Sequence, residues 1–174
     1  MGVSKHRPFR SGLWSRMVAL VGAVILVSVI VPTVGSQVAS GATLTVLSGN
    51  VAVSRGDGTA IDRAPSGTTL GDGDRVATVG TSGALITFFD GSEMELGADT
   101  TVVVVSVGRS GNRAEIRLEN VLGSTVSKVV PFTDPGSSYR IESGGTVALV
   151  RGTVLGHRSD PAGNVTVALV QANN

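Results

Sequence analysis

The side chains that could support catalysis or metal binding are few and scattered. The 174 residues include two histidines, His6 and His157, and no cysteine, so disulfides and thiolate metal sites are excluded. His157 could form a small polar site with Asp160, but one histidine and one aspartate on a turn are typical of a solvated loop. His6 lies in a basic N-terminal segment. The sequence therefore offers no set of nucleophile, base and orienting residue.

Two acidic groupings have spacings that resemble functional sites. The sequence GDGD at residues 71–74 has aspartates at alternate positions, but position 12 counted from Asp72 is Gly83, where a calcium loop needs glutamate. Glu93 and Glu95 lie two apart in a strand pattern, so their carboxylates share one face instead of flanking a sugar across a cleft. Turn chemistry and a solvated strand face explain these residues, and the sequence predicts no enzyme, no metal site and no cofactor.

Residues 73–107 are predicted to form three strands joined by two turns. Asp90-Gly91-Ser92 stands at the first turn. Asp-Gly between two runs of β-forming residues is a strong hairpin signal, because a tight turn needs positive φ at its central positions and glycine accepts it. The apolar run at 84–89 is typical of a strand buried on both faces. A Gly91→Val substitution is therefore expected to be strongly destabilising.

Alternating patterns and turn signals continue along the chain. Glu93 to Leu96 alternates apolar and acidic residues, and residues 113–122 alternate charged and apolar ones, which predicts strands with one exposed face. Gly49 and Gly123 each separate two apolar runs and predict turns. The 24 glycines and the turn signals every 8–12 residues or so predict an all-β domain over residues 43–174. The expected fold is a solenoid-like or sandwich-like stack of short antiparallel strands, preceded by one hydrophobic helix.

The N-terminal region has the pattern of a membrane anchor or a signal peptide. Residues 1–16 are basic, and residues 17–35 are apolar and uncharged. The positive-inside rule places residues 1–16 in the cytoplasm and the rest of the chain outside it, with small residues at 38–42 that suit cleavage. Residues 43–174 contain ten basic and thirteen acidic side chains, a net charge of −3, with no basic patch for nucleic acid.

Six short motifs occur in an order that resembles the FecR domain, named for the ferric-citrate transport regulator. They are LSGNV at 47–51, GDRVAT at 73–78, ALITFFDGS at 84–92, LGADT at 96–100, LENVLGS at 118–124 and VALVRGT at 147–153. The resemblance extends over residues 44–158. The turn Asp90-Gly91-Ser92 and the signature Arg151-Gly152-Thr153 make the ordered set fairly specific.

The resemblance implies an extracytoplasmic all-β domain with solenoid-like stacked strands. In the best-known members, this domain is the periplasmic part of a single-pass inner-membrane protein. Those members receive a signal from an outer-membrane transporter and control a sigma factor through a cytoplasmic segment. Many other members have no such circuit. Here only 16 residues precede the apolar segment, so a folded sigma-factor-binding domain is expected to be absent, as is a second periplasmic module.

These observations predict a non-enzymatic module that is attached to the membrane and binds another protein, either as a sensor or as a signalling partner. The alternative is a secreted or surface scaffold without a signalling role; cleavage of the N-terminal segment would favour it. Exposed strand edges would supply the affinity. Arg151 is the one charge in an apolar run, which indicates either a structural contact to a carboxylate or carbonyl group, or a contact to the partner.

Overall fold

Eleven β-strands and no helix form residues 40–170, the part of the chain that the computed structural model describes. The strands are β1 (Ala42–Ser54), β2 (Ala60–Ile61), β3 (Thr68–Leu70), β4 (Arg75–Phe88), β5 (Glu93–Leu96), β6 (Thr101–Ser110), β7 (Arg113–Lys128), β8 (Ser138–Ser143), β9 (Thr146–Val150), β10 (Val154–Ser159) and β11 (Val165–Leu169). In this part of the chain, no helix is long and apolar enough to cross a membrane. The segments predicted at 1–16 and 17–35 lie outside it. The all-β prediction is confirmed.

Four of the strands pair in a closed circuit around the core. β4 pairs antiparallel with β5 and with β6, and both of these pair antiparallel with β7. β1 pairs with β4 and carries β2 and β3. On the other side, β10 and β11 follow β7, and β8 with β9 joins the first half of β7. A sheet that pairs back on itself must curl, so one continuous sheet encloses the core.

The pairing of β7 with β8 is parallel, whereas the other pairs in this sheet are antiparallel. Parallel neighbours need a connection that returns the chain to the end at which the first strand began. Residues 129–137 form this connection, in the region where the sequence predicted a loop.

Three strands are longer than the short strands that the sequence predicted: β1 has 13 residues, β4 has 14 and β7 has 16. Each contains a glycine at positive φ near its middle: Gly49, Gly80 and Gly123. The turns predicted at Gly49 and Gly123 are wrong, because the strand continues through both positions. β7 pairs with β6 before Gly123 and with β5 and β10 after it. A kink at glycine lets one strand serve two sets of neighbours.

The core lies on the inner face of the curled sheet. The alternation predicted for β5 and β7 is confirmed, because Met94, Leu96, Ile116 and Leu118 are fully buried and the charged residues between them face outward. Burying each such side chain contributes about 1.5–3 kcal/mol. The largest fully buried side chains are Tyr139, Leu44, Ile86, Met94, Leu96, Ile116, Leu118 and Ile141.

The sequence predicted that the apolar run at 84–89 would be buried on both faces, and this prediction is wrong. Ala84, Ile86 and Phe88 are buried, whereas Leu85 and Thr87 are half-buried. The reason is that only the inner face of the curled sheet meets the core. A continuous apolar run therefore does not distinguish a strand covered on both sides from a strand covered on one.

Candidate functional site

The chain turns at Asp90-Gly91-Ser92, here called the DGS turn, to join β4 to β5. The N–H of Gly91 donates to the carbonyl of Phe88 at 2.9 Å, and the N–H of Phe88 donates to the carbonyl of Ser92 at 2.9 Å. These two bonds enclose a three-residue loop with positive φ only at Gly91, where φ is 87°. The prediction of positive φ at both central positions is wrong, because a three-residue loop needs it only at its last residue.

Ser92 ties the DGS turn to a distant part of the chain. Its backbone N–H and its hydroxyl donate to the two oxygens of the Asp90 carboxylate, at 2.9 Å and 2.8 Å. The Ser92 hydroxyl oxygen accepts the backbone N–H of Val130 at 3.1 Å. Ser92 is fully buried. The turn therefore fixes the chain at the point where it leaves β7.

Replacing Gly91 with valine should lower the free energy of unfolding by about 1–3 kcal/mol, because a β-branched residue is strained at positive φ. The nearest atom to an added Cβ, a Val130 methyl carbon, is 3.7 Å away, so strain and not overlap causes the loss. Urea unfolding measures the change. Gly91→Asn is the control, since asparagine tolerates positive φ and should retain most of the stability. Equal losses in both variants would contradict this account.

Arg151, Gly152 and Thr153, here called the RGT loop, connect β9 to β10 and contact the same segment as the DGS turn. The carbonyl of Thr153 accepts the N–H of Val129 at 3.0 Å. An added Cβ at Gly152 would lie 3.1 Å from Pro131 atoms, so glycine permits this close approach. The two motifs, 61 positions apart in the chain, thus both contact residues 129–131.

Arg151 is exposed beside a small cleft of about 140 Å³. Its Nη2 donates to the carbonyl of Pro135 at 3.4 Å, which is a long contact, and no carboxylate within residues 40–170 forms an ion pair with it. Most of its guanidinium donors therefore face solvent. The cleft is lined by Pro131, Phe132, Asp134, Pro135, Ser137 and Arg151.

Replacing Arg151 with alanine should change the free energy of unfolding by less than about 1 kcal/mol, because a long, exposed hydrogen bond contributes little. Thermal and urea unfolding provide the measurement. Gly152→Ala is the comparison, since its φ is 65° and its neighbour Pro131 is close, so it should destabilise more. A large loss for Arg151→Ala would make its role structural.

The outer side of β9 exposes apolar side chains that the sequence predicted only as part of an apolar run. Val147 and Leu149 are 57% and 55% exposed, while Val150 between Leu149 and Arg151 is buried. We define Val147, Leu149 and Arg151 as the β9 face. The composition of residues 147–150, VALV, does not indicate that this run is exposed. The one hint is that Arg151 follows Leu149 at the two-residue spacing of a strand face.

A charged ladder borders the β9 face. Val147 is paired with Glu142 of β8, and Leu149 with Arg140. Arg117 of β7 contacts Glu142, with 3.2 Å between Nε and Oε1. The outer surface therefore passes from charged residues on β7 and β8 to apolar residues on β9, the arrangement of an interface with a polar rim.

His157 does not lie on a solvated loop with Asp160, as the sequence suggested. It is buried on β10, and its Nδ1 is 2.8 Å from Nδ2 of Asn120. Asp160 instead binds Asn164 within the turn between β10 and β11. The imidazole contacts the Asn120 side-chain amide, and the buried Thr125 of β7 lies opposite it in the β7–β10 register.

Burial lowers the pKa of His157 below its ordinary value of about 6.5. The unfolded chain therefore binds a proton at a pH where the folded chain does not. The free energy of unfolding should fall as the pH drops below about 6.5 and should not depend on this group above that pH. Urea midpoints of wild type and His157→Gln between pH 5 and 8 test this. The variant should lose part of the acid dependence, and identical slopes would contradict the prediction.

The aspartates of the GDGD sequence accept hydrogen bonds, mainly from backbone N–H groups. Asp74 is buried, and its carboxylate accepts a hydrogen bond from Nη1 of Arg55 at 2.7 Å. The same carboxylate accepts hydrogen bonds from the backbone N–H groups of Gly56 and Gly71, both at 3.0 Å. Asp72 accepts the N–H of Val107 at 2.7 Å. In the described residues, no group of three histidine, cysteine or acidic side chains is placed to hold a metal ion.

Comparison with known proteins agrees with the motif order. The family model described as FecR protein matches residues 74–173, which include the DGS turn, the RGT loop and the β9 face. No curated protein and no solved structure matches the chain. The matched span is more than half of the 174 residues and begins at the buried Asp74. The chain belongs to the FecR protein family.

Proposed function

We propose that this FecR-family chain is a non-enzymatic, extracytoplasmic module that is attached to the membrane by residues 17–35 and binds another protein in regulation or signalling. The observation that carries the proposal is the β9 face, with two apolar side chains more than half exposed next to the solvent-facing Arg151. Family membership supports a regulatory role. The basic and apolar N-terminal segments support placement of residues 43–174 outside the cytoplasm.

The β9 face has the chemistry of a protein-binding surface. Burying Val147 or Leu149 against a partner would contribute about 1.5–3 kcal/mol each, and arginine is enriched at interface centres. The ion pair between Arg117 and Glu142 beside it fixes the polar border. The partner surface that fits is apolar, with a carboxylate opposite Arg151, because the guanidinium binds a carboxylate through two donors.

Site-specific photocrosslinking tests the proposed surface. A photoreactive amino acid at Leu149 in the full chain should give discrete crosslinked products, and the same group at Asp62, at the far end of the sheet, is the control. Arg151→Glu should reduce the products from Leu149, since it places like charges opposite each other. The proposal fails if Leu149 and Asp62 give the same products, or if Arg151→Glu leaves the Leu149 products unchanged.

The intact mass of the protein in membrane and soluble fractions tests the attachment. A full-length mass in the membrane fraction supports a retained anchor, which leaves the 16 N-terminal residues to contact a cytoplasmic partner. A mass that begins near Gly41 or Thr43 in the soluble fraction means that the segment is removed. Direct signalling across the membrane would then be excluded, and the binding module would act wholly outside the cytoplasm.

A further inference from the structure

The last strand, β11, lies at one end of the eleven-stranded sheet. One of its edges pairs with β10, and no strand within residues 40–170 pairs with the other. At the two ends of the β10–β11 pair, the N–H of Val170 donates to the carbonyl of Val154, and the N–H of Asp160 donates to the carbonyl of Asn164. Because hydrogen bonding alternates along an antiparallel pair, these two bonds fix the pattern between them. The backbone N–H and C=O groups that point to the open edge are those of Val165, Val167 and Leu169.

β11 also extends the inner face of the sheet beyond the core. Register places Val167 beside His157 and Leu169 beside Leu155. His157 and Leu155 are 2% and 5% exposed, but Val167 and Leu169 are 42% and 71% exposed. Burial therefore ends between two adjacent strands. β11 has the side chains of a core strand without the covering layer.

The other end of the sheet is blunted, and β11 is not. β2 has two residues and β3 has three, which is too short for a partner strand to pair with. β11 has five residues, Val-Thr-Val-Ala-Leu, with no charge and no proline to discourage pairing. We propose that β11 pairs with β11 of a second copy of this chain, antiparallel about a two-fold axis at Val167.

The sequence of β11 is self-complementary in this register. Val167 lies opposite Val167 of the other copy, Val165 opposite Leu169, and Thr166 opposite Ala168. All pairs on the inner face are then apolar, and no like charges meet. A symmetric interface uses the same surface on both copies, so it needs this property. An uncharged strand also offers no charge pattern that would select a different protein.

The expected contact is small. A five-residue strand is about 17 Å long, and a single pair of such strands buries less than the roughly 1,200 Å² of a stable interface. Association should therefore be weak in dilute solution and favoured where copies are held close together. Attachment to a membrane, as in the proposed function, supplies such a local concentration. The pairing itself does not use the β9 face, so failure of either proposal leaves the other standing.

Disulfide trapping in the full chain tests the pairing, because the natural sequence has no cysteine. Directly paired, hydrogen-bonded residues have Cα atoms about 5.5 Å apart, which a disulfide can span. Val167→Cys should give a reducible species of twice the chain mass, as should a mixture of Val165→Cys and Leu169→Cys chains. Asp62→Cys is the control and should remain monomeric.

Val167→Pro provides the disrupting variant. Proline removes an N–H that points to the open edge, so the pairing of β11 with β10 within the chain should persist. Val167→Pro is introduced into both the Val165→Cys chain and the Leu169→Cys chain before they are mixed. The yield of disulfide dimer should then fall about tenfold or more, while the melting temperature should change little.

Each other outcome overturns the proposal. A monomeric Val167→Cys protein that reacts rapidly with a maleimide would mean an open edge. A monomer protected from the maleimide would mean that a segment of the same chain covers β11. A disulfide product of another mass would mean a different protein, and equal dimer yields from Val167→Cys and Asp62→Cys would mean random collision.

Discussion

Gly123→Ala should lower the free energy of unfolding by about 4 kcal/mol or more. Gly123 lies in the middle of β7 with φ of 91°. An added Cβ would lie 2.5 Å from Cα of Thr100 and 2.8 Å from the carbonyl oxygen of Asp99. Backbone strain and overlap with backbone atoms therefore act together.

Thr100 cannot move aside to relieve the overlap. It is fully buried, and its hydroxyl accepts the N–H of Ser124 at 3.0 Å and donates to the carbonyl of Ala98 at 3.0 Å. A shift of Thr100 would break its hydrogen bonds to Ser124, the residue after Gly123, and to Ala98. Since small domains have a total stability of about 5–15 kcal/mol, this loss would remove a large share of it, and the urea midpoint should fall accordingly.

Gly67→Ala is the matched control for this prediction. Gly67 has the same φ of 91°, but no atom lies within 4 Å of an added Cβ. Gly67→Ala should therefore lower the free energy of unfolding only by the backbone strain, about 1–3 kcal/mol. Urea unfolding of the two variants separates the two costs. Equal losses would show that overlap with Thr100 is absent and that β7 does not kink as described.

Tyr139→Ala should lower the free energy of unfolding by about 3–5 kcal/mol, because it removes a fully buried aromatic side chain from the centre of the core. The ring lies edge-on to Phe88, with 5.7 Å between centroids and 87° between planes. Tyr139 on β8 thereby supports the last residue of β4 before the DGS turn. The loss should be visible in both the urea midpoint and the melting temperature.

Tyr139→Phe separates packing from hydrogen bonding. The Tyr139 hydroxyl donates to Oγ of Ser127 at 3.2 Å, which is longer than the usual distance for two hydroxyl groups. Removing it should cost about 1 kcal/mol or less. If Tyr139→Phe were as destabilising as Tyr139→Ala, the hydrogen bond and not the ring would hold β8 against the core.

The strands and their inner faces could be predicted from the sequence where polar and apolar residues alternate. β5 and β7 show this, because period-two alternation leaves one possible buried face. The location of the hairpin at Asp90 and Gly91 could also be predicted from the sequence, because the turn depends on local backbone geometry. Its loop length was not, because that depends on how Phe88 and Ser92 pair across the hairpin.

The Gly123 position shows why the architecture could not be predicted in the same way. A glycine between two apolar runs can end a strand or kink it, and the local sequence is the same in both cases. The outcome depends on whether neighbours continue the sheet on both sides. Here β5 and β10 pair with residues after Gly123, and these strands lie far away in the sequence.

The candidate surfaces were even less accessible to sequence reasoning. The apolar residues of β9 and β11 have the composition of core strands, and His157 has the sequence context of a loop. Their exposure or burial follows from which strands lie at the ends of the curled sheet and which are enclosed. That order is set by pairings between distant segments, which no local pattern records.

By itself, the sequence determined that this protein is all-β, that it belongs with FecR domains, and where the DGS turn lies, because these properties depend on alternation, motif order and local backbone preference. Only the tertiary structure decided that β1, β4 and β7 are long kinked strands, that the DGS turn and the RGT loop contact the same segment, and that β9 and β11 expose apolar faces. These features arise from hydrogen bonds and packing between residues that are far apart in the chain, so they exist only once the sheet has closed.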